Sequence, residues 1–294
     1  MISKINLRKR FSESKILVAP GAYDAFTAKL IESSGFESVY LSGAGVSYTL
    51  LGQPDTGQVT QTQMVEKVGT VANAIGIPLI ADGDTGYGNA VNVMETVRRY
   101  EHAGAAAIQL EDQQFPKRCG HLSGKELIPA DEMVGKIRAA IYARASDEFL
   151  IIARTDALGV AGLEEAILRG KKYVDAGADM LFVESPNSME ELKTVTDEFS
   201  EIPLMANMVE GGVTPLLSAD ELESMGYSLV IYPNSLTRRF ARAGLDLLAD
   251  LHGNGTTRAR LDKMMPFQEL NAMLGIEDLK KLEQNYLPRP EKAA

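Results

Sequence analysis

The chain contains one cysteine, Cys119, in 294 residues, and a single cysteine cannot form an intramolecular disulfide. Its polar start, MISKINLRKRF, lacks the apolar stretch of a secretory signal. Together these point to a reducing cytoplasm. No apolar run approaches the ~20 residues of a membrane-spanning helix, so a soluble protein is expected. Positive charge is also scarce: 30 Lys and Arg stand against 40 Asp and Glu, a formal charge of −10. Such a surface repels phosphate backbones and anionic membranes, which excludes nucleic acid and lipid as expected partners. A small anion remains compatible if cations converge in a cleft, and residues 117–121 supply such a cluster.

What is present supports a large folded body. Apolar residues make up 45% and charged residues 24%, enough to bury a core under an ordinary solvated surface. From residue 16 onward, short apolar runs alternate with amphipathic stretches whose apolar residues recur three and four apart. Strands are read at 16–19, 38–42, 78–82, 106–111, 149–154, 180–184, 203–207 and 229–232. Helices are read between them at 23–34, 60–75, 90–103, 131–144, 163–176, 189–199, 218–225 and 236–251. Gly35, Gly104 and Gly177 sit where three of these helices should end, a position that favours left-handed backbone. Eight such units favour a closed parallel α/β barrel of the TIM, (β/α)8, type over a doubly wound sheet, because no dinucleotide-binding turn is evident. The barrel domain is placed at 1–252. Residues 253–294 form a helical extension, with helical stretches at 258–274 and 277–284, which either caps its own barrel or crosses to a neighbouring subunit.

In such barrels the chemistry lies at the carboxyl ends of the strands. The polar residues found there are Ser42-Gly43-Ala44-Gly45, Asp82-Gly83-Asp84, Glu111-Asp112-Gln113, Arg154-Thr155-Asp156, Glu184, Asn207 and Tyr232-Pro233-Asn234-Ser235. Asp82 and Asp84, with Asp55 and Glu111 aimed at the same mouth, could surround a hard cation. Mg²⁺ takes oxygen ligands and retains water, so one or two direct carboxylates would suffice; a simple turn is the competing reading of Asp-Gly-Asp. Ser42-Gly43-Ala44-Gly45 could cradle a carboxylate. Arg154 requires an anionic partner, either a substrate or a protein carboxylate. Tyr40 precedes Ser42 by two positions and points into the barrel. The most specific stretch is 111–121, where Cys119 is flanked by Lys117, Arg118 and His121. Those cations should lower the thiol pKa from about 8.5 and suit it to proton transfer. The segment reads as an exposed loop, with Gly120 and Gly124 as pivots, of the kind that covers a barrel mouth.

These pieces resemble the isocitrate lyase/phosphoenolpyruvate mutase superfamily over almost the whole chain. The matching motifs are Ser42-Gly43, Leu51-Gly52-Gln53-Pro54-Asp55, the Asp82–Gly88 run, Ile108-Gln109-Leu110-Glu111-Asp112-Gln113, the 117–121 loop, Ala153-Arg154-Thr155-Asp156-Ala157 and Ala206-Asn207. The resemblance implies a barrel that binds Mg²⁺, with Mn²⁺ as an alternative, and a small carboxylate substrate. It implies a homotetramer with C-terminal helices swapped between subunits. It assigns Asp84 as direct metal ligand, with Asp55, Asp82 and Glu111 around it. Ser42, Gly43, Ala44 and Arg154 would hold the substrate carboxylate, with Glu184, Asn207 and Pro233 lining the pocket. Tyr40 would lie beside the reacting hydroxyl, and Cys119, supported by Lys117, Arg118 and His121, would protonate the departing carbanion. The thiol separates the lyases from the phosphonate-forming mutases. The stretches 207–212 and 265–271 resemble the lyases of substituted malates more than those of 2-methylisocitrate. Oxaloacetate hydrolysis is the alternative reaction. Mutase chemistry and a purely binding role rank below it.

Overall fold

The computed structural model describes residues 5–13, 15–120 and 124–287. Eight strands, β1 (Leu17–Ala22), β2 (Val39–Leu41), β3 (Leu79–Asp82), β4 (Ala107–Glu111), β5 (Leu150–Thr155), β6 (Met180–Val183), β7 (Leu204–Asn207) and β8 (Leu229–Tyr232), close in sequence order into a parallel barrel. Closure is made by β1 against β8, where Leu17 faces Leu229 and Pro20 faces Tyr232. Burial on both faces explains why the strands read as nearly continuous apolar runs. One face packs under the helices, and the other fills the barrel.

The interior filling comprises Leu17, Tyr40, Ile80, Ile152, Phe182 and Ile231 among others. The short helix Leu7–Arg10 lies at the amino-terminal end of the strands, where Leu7 is buried and Phe11 packs against the same cluster. The floor is therefore apolar. The helices between strands begin and end on local signals. Asn89 accepts hydrogen bonds from the backbone N–H groups of Val91 and Asn92 at the start of Ala90–Ala103, and Gly104, at φ 101°, ends it. Gly35 and Gly177 take left-handed backbone in the same way, at 86° and 100°.

Three features depart from the sequence reading. Ser42-Gly43-Ala44-Gly45 opens a helical stretch, Gly43–Val46 running into a π-helical turn at Ser47–Leu51. A short helix, Ala157–Ala161, follows β5. The expected helix at 258–274 is broken: Arg258–Lys263 is a 3₁₀ segment and Phe267–Met273 a separate helix. Pro266 between them lacks an N–H, and Met264 is extended.

The chain divides into two compact units, 1–238 and 239–294. The division falls inside the helix Ser235–Asn254. In the second unit the helices Phe267–Met273 and Ile276–Tyr286 bury no residue. Among the described residues, no helix is long and apolar enough to cross a membrane.

Candidate active site

Strand ends bring the charged residues together. β3 delivers Asp82, and the turn after it sets Asp84 at φ 47°, its N–H donating to Asp82 Oδ1 at 3.0 Å. Asp-Gly-Asp is thus both a turn and part of the acidic mouth. β4 ends in Glu111, and β5 in Arg154 and Thr155. Glu184 follows β6, and Asn207 ends β7.

Lys117 reaches into this mouth from the loop. Its Nζ lies 2.7 Å from Asp55 Oδ1 and 2.7 Å from Asp84 Oδ1. Burial acts to lower the lysine pKa, but Asp84, Asp55, Glu111 and Asp82 overcome it and hold the ammonium well above its ordinary value. Burial pushes Asp84 up to about 6, with Asp82 and Asp55 adding to the rise against the pull of Lys117. Glu111 is raised well above the carboxylate range, chiefly by burial, and opposed by Arg154 and Lys117. One oxygen of Glu111, Oε1, is buried without a hydrogen-bond partner.

Arg154, for which the sequence left a substrate or a protein carboxylate open as partner, is surrounded by protein carboxylates. Its Nε and Nη2 donate to Asp156 at 2.9 and 3.0 Å. Nη1 is 3.1 Å from Glu111 and Nη2 is 3.4 Å from Glu184, while the guanidinium lies over the Phe182 ring at 5.3 Å. Glu184 also accepts from Asn207 Nδ2 at 3.2 Å, and Asn207 Oδ1 is buried without a partner. Tyr40 is fully enclosed and donates to Gln109 Oε1 at 3.1 Å. Burial, then Asp82, raises its pKa well above 10, so its hydroxyl stays protonated.

The expected carboxylate cradle is partly engaged by the protein itself. Gly43 N–H donates to Asp82 Oδ2 at 3.3 Å, and Ser42 Oγ accepts from Gly45 N–H at 3.1 Å. Ser42 also donates to Asn234 Oδ1 at 3.3 Å. Ala44 and Pro233 line the central cavity with Tyr40, Ser42 and Arg154.

That cavity is about 40 Å³, room for only a few water molecules, and Cys119 and Gly120 form part of its wall. The loop is exposed in part, as expected, at residues 114–116, 118, 124 and 126, but Lys117 and Gly120 are buried and Cys119 is half-buried. Gly120 is small because it is pressed against the mouth. A Cβ there would lie 2.5 Å from Arg154 Nη2 and 2.6 Å from Glu184 Cδ. Arg118 is not part of the cavity wall. Its backbone is held by the Gln113 side chain, and its guanidinium lies beside Gly124. His121 lies outside the described residues. Four mouth residues carried no expected role: Gln109, Lys125, Asp156 and Asn234. Asp156 and Asn234, both in strand-end motifs, had a local signal; Gln109 and Lys125 had none at a strand end.

A closed parallel barrel whose carboxyl-end mouth combines buried acids, an arginine and a loop cysteine defines a class of small-carboxylate enzymes. The chain belongs to the phosphoenolpyruvate mutase/isocitrate lyase superfamily: the family model described as phosphoenolpyruvate phosphomutase matches residues 7–252. It is 48% identical to 2,3-dimethylmalate lyase of Eubacterium barkeri, over 97% of this chain and 99% of that one. It is 42% identical to 2-methylisocitrate lyase of Aeropyrum pernix, over 94% and 88%. Among solved structures it resembles oxaloacetate acetylhydrolase bound to 3,3-difluorooxalacetate, with TM-score 0.91, 35% identity and 95% of each chain covered. It also resembles phosphonopyruvate hydrolase in complex with oxalate and Mg²⁺, with TM-score 0.88, 32% identity, and 98% and 100% covered.

Proposed function

We propose that the chain is a divalent-metal-dependent carbon–carbon lyase that cleaves a substituted malate, such as 2,3-dimethylmalate, to pyruvate and a carboxylate. The observation that carries this reading is the placement of Cys119 in the wall of a cavity that also presents Arg154, Ser42 and Tyr40. A thiol there can protonate a carbanion released beside a held carboxylate. The 48% identity to a 2,3-dimethylmalate lyase supports the substrate class.

The donors fit a hard cation. Around the mouth, the six carboxylates Asp55, Asp82, Asp84, Glu111, Asp156 and Glu184 meet the three cations Lys117, Lys125 and Arg154. Glu111 Oε1 is left without a partner. Among the described residues, no three His, Cys, Asp or Glu are arranged to hold an ion by themselves. Mg²⁺ or Mn²⁺ would therefore be held by one or two carboxylates, Asp84 first, with water supplying the rest. When bound, the ion would polarise the substrate's oxygens and offset charge developing on them.

The protein's own residues supply the remainder. Arg154, Ser42 and the Gly43–Ala44 backbone orient the 2-hydroxyacid carboxylate. Tyr40 stands beside the reacting hydroxyl. As that hydroxyl passes its proton to a carboxylate of the mouth and becomes a carbonyl, the bond from C2 to C3 breaks, the electron pair passes to C3, and Cys119 donates a proton to it. Phe182, Val209 and Ile231 give the cavity an apolar wall suited to alkyl substituents. The cavity is too small for the substrate as it stands, so admission requires the loop to move outward.

The second unit supports assembly with further copies. Leu245, Leu248, Leu261, Phe267, Leu282 and Tyr286 are all more than half exposed, an apolar surface unusual for a monomer. A homotetramer with exchanged C-terminal helices in the cytoplasm is our reading, checked by light scattering on a sizing column.

The test offers the purified protein, with Mg²⁺, a panel of 2,3-dimethylmalate, 2-methylisocitrate, isocitrate, citramalate and oxaloacetate, following pyruvate, glyoxylate and oxalate. The highest kcat/KM is expected for 2,3-dimethylmalate. Oxalate as the main product would favour hydrolysis, and no turnover of any member would overturn the assignment.

A further inference from the structure

Lys125 follows Cys119 in the chain and turns inward. Its side chain is 5% exposed, and its Nζ lies 2.9 Å from Asp156 Oδ1, a fully buried carboxylate. The same Nζ donates to the carbonyl oxygen of Gly120, the residue after Cys119. Ser185 Oγ lies 3.2 Å from that carbonyl and 3.0 Å from Glu184 Oε1, so its one hydroxyl proton is shared between the two acceptors. Ser185 holds φ 62°, a left-handed backbone that is strained for a residue with a side chain and persists where surroundings enforce it.

Asp156 is shared. Its Oδ1 receives both Lys125 Nζ and Arg154 Nη2, and its Oδ2 receives Arg154 Nε. It is itself fixed from behind, since its N–H donates to Asp112 Oδ1 at 2.9 Å. Asp112 in turn accepts from Thr155, Tyr173 and Arg169 at 2.8, 2.7 and 3.1 Å. The carboxylate that orients the anion-binding arginine is thereby joined through one ammonium to the backbone that carries the thiol.

We infer that Lys125 is a positioning residue for Cys119: by bridging Asp156 and the Gly120 carbonyl, it latches the Cys119–Gly120 backbone at the mouth and ties the thiol's position to the Arg154–Asp156 pair. The competing explanation is that Lys125 only neutralises Asp156. Arg154 shares its charge among Asp156, Glu111 and Glu184, so Lys125 does add neutralising charge, but neutralisation does not require the second contact to Gly120. The inference deepens the lyase reading and rests on it for the role of Cys119, but the latch itself can be read without any reaction.

Because Cys119 is the only cysteine, alkylation of the intact protein by iodoacetamide reports this one site. The rate is taken at its high-pH plateau, where a change in thiol ionisation no longer matters. Lys125→Met should raise it about tenfold or more, since a charge-assisted bond to the loop is lost. Lys125→Arg should restore most of the slow rate. Turnover should follow, with kcat about 10- to 100-fold lower in Lys125→Met and KM nearly unchanged, because Lys125 is placed to orient the thiol rather than to hold substrate. Ser185→Ala, which removes the lesser bond, should move both readouts in the same direction by a smaller factor and keeps the test open if Lys125→Met does not fold. An alkylation rate unchanged in a folded Lys125→Met variant overturns the latch, as does a Lys125→Arg variant no better than Met. If no 2-hydroxyacid is turned over by the unaltered protein, the lyase reading fails, while the alkylation rates still decide the latch.

Discussion

At the floor of the barrel, Leu17, Ile80, Leu150, Met180 and Leu229 fill the interior beneath Leu7. A few residues further along the same strands, the interior holds Asp82, Glu111 and Arg154, all buried. Apolar burial stabilises in any arrangement that excludes water, at about 25 cal/mol per Å². Buried charges stabilise only when each finds its partner, and otherwise oppose folding. The floor should therefore govern stability and the mouth activity.

The sharpest test of that division is at Cys119. Cys119→Ala should lower turnover by about 10²- to 10⁴-fold, the usual contribution of a positioned proton donor, while the thermal unfolding midpoint barely moves. Retained turnover would break the comparison at its functional end. At the other end, Ile152→Ala should cost about 2–5 kcal/mol in urea unfolding and leave KM unchanged; a mouth-like loss of activity at constant stability would blur the distinction.

The mouth's burden on stability should appear as a pH dependence. Asp84 is held up to about 6, by burial first, against an ordinary value of 3.8. Its folded form binds the proton more tightly than its unfolded form. The associated stability is present below about pH 4 and is lost as pH rises through about 6. Asp84→Asn should remove this slope. Without added metal, the variant should gain on the unaltered chain between pH 4 and 7 by on the order of 2–3 kcal/mol, measured by denaturant unfolding at each pH. A difference independent of pH would show that Lys117 fully compensates the burial. The smallest effect belongs to neither end: Asn89→Ala, removing a helix cap, should cost about 1 kcal/mol without touching kcat.

Much of the barrel could be read directly. β8 was read at its observed bounds, and the other strands to within a few residues at either end. A strand covered on both faces must be apolar along its length, so its end is marked by the first charge. Helix ends at Gly104 and Gly177 were legible because a left-handed residue is a local requirement. The π-helical turn after Ser42 was not, since it leaves no periodic signature over five residues. Within the site, Asp82, Asp84, Glu111 and Arg154 announced themselves as charges ending apolar runs. Gln109 and Lys125 did not, because one sits inside a strand pattern and the other inside a polar loop.

The sequence by itself determined which strand-end residues would stand at the mouth, because strand period and strand ends are local properties of a parallel barrel. Only the tertiary structure decided how they pair: Lys117 with Asp55 and Asp84, Arg154 and Lys125 with Asp156. Most of those pairs join segments tens of residues apart. Barrel closure brings their strand ends within a few ångströms, and in that buried space each charge takes the partner that geometry leaves it.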